Sequence, residues 1–198
     1  GAVGAARRMR WGFTCSSEEQ AASGLVRTAM AAEDAGFEFV TVSDHYHPWT
    51  QSQGHSPFAW STVAGIAVRT RSVAIGTGVT CPLIRIHPAI VAQAAATSSE
   101  LSDGRFFLGV GTGEALNEHI TGEWWPPIET RAAMLAEAVE VIRQLWTGET
   151  IDFDGEFYTL ANARLFDPPD QAPEVICAAA GTKSAELAAR IGDGLWTT

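Results

Sequence analysis

One rhythm constrains this chain more than any other feature. Short runs of β-branched and aromatic residues alternate with longer segments of helical period, the pattern of a parallel sheet with helices packed on it. Residues 10–15 read as a first strand. Ser16-Ser17-Glu18-Glu19 reads as the cap of a helix in which Leu25, Val26, Ala29, Met30 and Ala32 recur at helical spacing, and Gly36 ends it. FEFVTVS at 37–43 reads as a buried strand, followed by a long loop holding His45, His47 and His55. A helix is expected over 59–69 and a third strand over 72–80. Pro88 opens a helix where its missing N–H costs little, running to about Leu101. Asp103-Gly104-Arg105 turns into a fourth strand at 106–110. Met134, Leu135, Ala138, Val139, Ile142 and Leu145 mark one face of a helix over 129–146. Residues 150–160 read as an inserted hairpin turning at Asp154-Gly155. A fifth strand at 174–178, a helix at 183–191 and a sixth strand from Leu195 follow.

Two architectures accommodate this series: an open doubly wound sheet and a (β/α)8 barrel. Both place ligands at the carboxyl ends of the strands. Polar and small residues gather there, at Asp44-His45, Thr80-Cys81, Thr112–Glu114 and Ala180-Gly181. The chain begins at Gly1 and stops at Thr198, inside what reads as a strand, so both ends are read as cuts.

Composition narrows the function classes. With 13 Lys+Arg against 23 Asp+Glu the formal net charge is −10, and Lys183 is the only lysine. No basic stripe exists beyond Arg7, Arg8 and Arg10, which argues against a nucleic-acid partner. No apolar run is long enough for a membrane helix, and no apolar stretch follows Arg7-Arg8 to make an export signal. Cys15, Cys81 and Cys177 are odd in number and contain no C-x-x-C pair, which suits reduced, buried thiols in a cytoplasm.

The motifs leave several readings open. His45 after the second strand suits a general base held by a neighbouring carboxylate; His45 and His47 together suit a metal, as in a hydrolase; a loop histidine bonding locally is the plainest alternative. Trp49 either walls a flat ligand or packs under the loop. Gly109-Val110-Gly111-Thr112-Gly113-Glu114 approaches a dinucleotide fingerprint, yet has Glu114 where the last glycine should stand. It reads better as glycines that admit a ring, with Glu114 as proton donor or acceptor, or as a tight turn with Glu114 at a helix start. Gly76 and Gly78 inside one strand mark a bulge or a surface that something flat approaches. The small residues at 178–182 either offer backbone N–H groups to a phosphate or let a helix close on the sheet. His55 and His87 read as structural.

SDHYHPW (43–49), QGHSPFAW (53–60), IGTGVTCPLIRIHPAIVAQAAAT (75–97), GRFFLGVGTGEALNEHITGEWWPP (104–127) and AARIGDG (188–194) together resemble the F420-dependent glucose-6-phosphate dehydrogenase family, among the luciferase-like flavin and deazaflavin oxidoreductases. The resemblance implies an α/β fold, a (β/α)8 TIM barrel, here one domain over 1–198 cut after about six strands. It implies hydride transfer between an alcohol or sugar-phosphate-like substrate and coenzyme F420, in a cytoplasmic enzyme that is a homodimer at full length. Carried over, the base matches His45, the indole over the reaction centre Trp49, and the carboxylate exchanging a proton with the coenzyme Glu114. Coenzyme contacts match Asp44, Thr112, Gly113, Asn117, Ala180, Gly181, Lys183 and Ser184. A non-proline cis peptide backing the ring matches Gly78-Val79. One further coenzyme contact, a threonine in the sugar-phosphate enzymes, matches Cys81, and a substrate contact matches Thr198. An FMN-dependent monooxygenase of the same superfamily, a metal hydrolase and an inactive fragment are the rival readings.

Overall fold

The computed structural model describes residues 9–197, so Arg7, Arg8 and Thr198 lie outside the described residues. In chain order the strands are β1 (Gly12–Cys15), β2 (Phe39–Val42), β3 (Ala74–Thr77), β4 (Phe106–Val110), β5 (Ile151–Asp154), β6 (Thr159–Ala163), β7 (Val175–Ala178) and β8 (Gly194–Trp196). The helices are α1 (Ala22–Asp34), α2 (Ala59–Ala67), α3 (Pro88–Leu101), the single turn α4 (Ala115–Glu118), α5 (Ile128–Leu145) and α6 (Thr182–Ile191). Six strands form one parallel sheet in the order β1-β2-β3-β4-β7-β8. A doubly wound sheet reverses its strand order at a switch point; this one never does. The helices touch in the same succession, α1 on α2, α2 on α3, α3 on α5 and α5 on α6. One helical layer on one face of a sheet that advances steadily is barrel order, and the six strands are part of a (β/α)8 barrel.

The core lies between sheet and helices. Val40, Val42, Ile75, Leu108, Val110 and Val175 are fully buried against Leu25, Ala29, Val63, Ile66, Val91, Ala95 and Ile142. Burial on both faces is why these strands read as apolar runs without alternation. On the inner face Phe39 and Phe107 meet edge to face, centroids 6.3 Å apart. Each ring lies over a glycine of the strand before it, Phe39 over Gly12 and Phe107 over Gly76. The flat object that Gly76 admits is therefore a neighbouring side chain.

Two local expectations give way. Ser16–Glu19 does not cap α1, which starts at Ala22 after Ala21, a residue with no capping side chain. Instead the Ser17 hydroxyl donates to the Ser43 carbonyl at 2.7 Å and the Ser17 N–H to Ser43 Oγ at 2.9 Å. Buried partners at the end of β2 outcompete the helix for these polar groups. The hairpin exists as β5 and β6, but no tight Asp154-Gly155 turn closes it, since Asp154 pairs with Thr159. The Glu137 carboxylate on α5 accepts the N–H groups of Glu156, Phe157 and Tyr158 and organises the longer turn. The start of α3 follows expectation: His87 Nδ1 accepts the Ala89 N–H at 3.1 Å, with Pro88 at the first position. No helix among the described residues is long and apolar enough to cross a membrane.

Candidate active site

The carboxyl ends of β2, β3, β4 and β7 open into one cavity of about 710 Å³. His45, Glu114, Asp44, Gly78, Val79, Cys81, Thr112, Gly113, Asn117, Ala180, Gly181, Lys183 and Ser184 all line it. Trp49 does not. It stands edge-on to the His45 ring, centroids 5.0 Å apart, and is 54% exposed, so it is not packed beneath the loop.

His45 leaves β2 with Nδ1 2.5 Å from Glu18 Oε1, and neither atom has a hydrogen-bond partner elsewhere among the described residues. Glu18 is 3% exposed, and its other oxygen accepts from the Ser16 and Ser43 hydroxyls at 2.7 and 3.0 Å. Burial alone would raise this carboxyl. The hydrogen bonds of the His45 ring, Ser16 and its own backbone, and then the imidazole's charge, outweigh that and bring it down to about 2. Glu18 is thus an anion fixed against one ring nitrogen, which leaves Nε2 as the nitrogen that can work in the cavity.

His47 does not share a site with His45. Its Nδ1 lies 3.1 Å from the Leu116 carbonyl, and its ring stacks on His119 at 5.4 Å. Among the described residues no group of three potential ligands gathers. The neighbouring carboxylate expected for His45 is likewise not Asp44. Asp44 accepts from Thr80 Oγ1 at 2.7 Å and from Arg85 Nη2 at 3.0 Å, and Arg85 Nε reaches Glu118 at 3.2 Å. This triad is nearly dry, the side chains of Arg85, Asp44 and Glu118 being 7%, 1% and 1% exposed. Burial raises Glu118 against the pull of Arg85. The triad ties the β3–α3 loop to the end of β2 and to α4. Asn117 completes the tie, its Oδ1 accepting from the N–H groups of Tyr46 and His47 at 2.9 and 3.2 Å.

Across the cavity the wall is built of backbone. The Gly78-Val79 peptide is cis. Gly113 has φ +70°, and a Cβ there would collide with Cys81 Sγ and crowd Trp125, so no other residue fits. Glu114, just before α4, is exposed at the rim. Cys81 lines the cavity as a buried thiol, pushed up by burial and next by the charge of Glu118. At the start of α6, Ser184 Oγ accepts the N–H groups of Ala180 and Gly181, both at 3.1 Å. Those donors are taken, so an anion here would meet the next N–H groups of the helix and Lys183.

Sequence reading missed Glu18, Arg85 and Glu118. Glu18 sat in a four-residue polar run that suits a helix cap equally well. Arg85 and Glu118 are single charged residues whose partners are remote in sequence.

A family profile for luciferase-like monooxygenases matches residues 9–198. The chain is 45% identical over 192 residues to an F420-dependent glucose-6-phosphate dehydrogenase of Mycobacterium avium, covering 96% of this chain and 57% of that protein. It is 46% identical over 183 residues to an F420-dependent hydroxymycolic acid dehydrogenase of Mycobacterium tuberculosis, covering 92% and 51%. A solved F420-dependent secondary alcohol dehydrogenase, in complex with an F420-acetone adduct, superposes with a TM-score of 0.92 at 38% identity, covering 96% and 58%. The chain therefore spans about half the length of the relatives it matches. Matched along all but its first residues, the chain belongs to the luciferase-like monooxygenase family.

Proposed function

We propose that this protein is an F420-dependent oxidoreductase that moves a hydride between the carbinol carbon of an alcohol or sugar phosphate and the coenzyme. The observation that carries the reading is the His45–Glu18 contact at the cavity wall, and the similarity to three proteins named for coenzyme F420 supports it. The residues present suit a flat ring with an anionic tail. Gly78, Val79 and Gly111 offer a wall of small groups. A Cβ at Gly181 would meet no atom within 4 Å, so the start of α6 leaves open room beside Lys183 for a phosphate.

When bound, the coenzyme supplies two-electron hydride chemistry. The protein moves the protons. Nε2 of His45 takes the substrate hydroxyl proton as the carbinol hydride departs. Glu18 holds the ring in one tautomer and stabilises the imidazolium that forms. Trp49 limits the tilt of that ring. Glu114, at the exposed rim, exchanges a proton between the coenzyme's polar edge and water. Two proton-handling groups in unlike surroundings suit two unlike transfers. The same reading makes the protein a cytoplasmic homodimer with its three buried cysteines reduced, and Thr198 a substrate contact.

Anaerobic turnover with 2-propanol and glucose 6-phosphate, each deuterated at the carbinol carbon, tests the reaction. Label is expected to pass from at least one of them into the reduced coenzyme. Transfer from neither would overturn the alcohol reading.

A further inference from the structure

Arg131, in the first turns of α5, never touches the cavity yet governs one of its walls. Its Nε donates to the Pro126 carbonyl at 3.0 Å, and its Nη1 to the carbonyls of Thr112 and Gly113 at 3.0 and 2.9 Å. The guanidinium also lies over the Trp125 ring, 4.4 Å from its centroid. Among the described residues no carboxylate pairs with it. The fork thus joins the two ends of the 112–126 excursion, which carries Glu114 and Asn117.

The direction of these bonds matters. In a planar trans peptide the C=O and the following N–H point opposite ways. With the Thr112 and Gly113 carbonyls drawn to Arg131, the N–H groups of Gly113 and Glu114 are aimed away from it, and both residues line the cavity. Neither N–H has a hydrogen-bond partner among the described residues. Gly113 has a positive φ, and Cys81 and Trp125 stand where its Cβ would be, so only glycine can take up this arrangement.

We propose that Arg131 is a positioning residue: it orients and polarises the Gly113 and Glu114 N–H donors toward an electron-rich edge of the ligand and fixes where Glu114 stands. The role of that edge rests on the function proposed above; the orientation of the donors does not. A planar fork is required. A lysine keeps the charge but cannot serve three carbonyls while lying flat on an indole.

Two variants, R131K and R131M, test this in the protein without coenzyme and with it. Without coenzyme, the backbone 15N order parameters of Gly113 and Glu114 are expected to fall in both, with those of the sheet unchanged. With it, the F420 dissociation constant should rise about tenfold in both, what one lost charge-assisted hydrogen bond amounts to, while kcat at saturation falls less. Wild-type order parameters and wild-type affinity in R131K would overturn the proposal, because charge alone would then suffice. If R131M does not fold, R131K still decides. If the wild-type protein binds no F420, the function above falls, and the order-parameter comparison still judges Arg131.

Discussion

The two walls of the cavity are held by opposite means. On the β2 side, charge is buried: Glu18 against His45, and Arg85 between Asp44 and Glu118. On the β4 side the wall is backbone, shaped by Gly113 and held from behind by Arg131, with Glu114 out at the rim. A group that must keep one tautomer needs neighbours that water cannot replace, because screening and solvent competition weaken an exposed pair. A group that must exchange protons with bulk water needs the reverse. Under the proposed function, this contrast is the one between a fixed base and a replenished acid.

The contrast can be broken at four places. The largest effect is expected at the base: H45A should lower turnover about 10²- to 10⁴-fold, while F420 affinity by fluorescence titration stays near wild type. Next comes E18Q, which keeps the shape and removes the anion. Turnover should drop by no more than in H45A, with about 10⁴-fold as the extreme for an amide replacing the carboxylate that orients a working imidazole, and H45A combined with E18Q should be hardly worse than H45A alone.

E18Q also has a signature in stability. Glu18 sits at about 2 in the fold against an ordinary 4.5, so the unfolded chain takes up its proton first as pH falls. Its stabilisation is complete above the ordinary value and is lost between there and about 2. Glu33, held near 2 by the backbone N–H groups of Ser72, Val73 and Arg71 against the effect of burial, adds to the same acid limb. Chemical denaturation across that range should show a shallower acid decline in E18Q than in wild type.

On the backbone wall, G113A should destabilise by about 1–3 kcal/mol through its positive φ and weaken F420 binding, with little change in the pH profile of turnover. The smallest effect belongs to the hairpin, which reaches the β3–α3 loop through the Tyr158 hydroxyl, bonded to the Leu83 carbonyl at 3.1 Å. Y158F should lower stability by about 0.5–1.5 kcal/mol, read as a small fall in Tm.

Much of this was legible in the sequence, for definite reasons. The strands were visible because β-branched and aromatic residues concentrate in short runs such as FEFVTVS, bounded by turn residues. Helix α3 was visible because Pro88 can sit comfortably only at its start. Asp44-His45, Thr80-Cys81, Thr112–Glu114 and Ala180-Gly181 were visible because each group follows a strand, and a parallel sheet brings such positions to one end; Asn117, Lys183 and Ser184 were reached only through the family resemblance. The partners of His45 were not. Ser16–Glu19 satisfies the rule for a helix cap, and only tertiary burial shows that its hydroxyl and carboxylate belong to Ser43 and His45. Arg85 and Arg131 escaped for the same reason: both act on groups far away in sequence. The alternation of elements left both candidate folds open; the family resemblance implied the barrel, and strand adjacency shows its order.

The account depends on the cavity accepting a deazaflavin and on His45 working only after the ring is in place. Parallel fluorescence titrations of wild type and H45A with F420 and with FMN test this most directly. Saturable F420 binding of equal strength in both proteins, tighter than that of FMN, is the predicted result; no affinity for F420, or a preference for FMN, would contradict it.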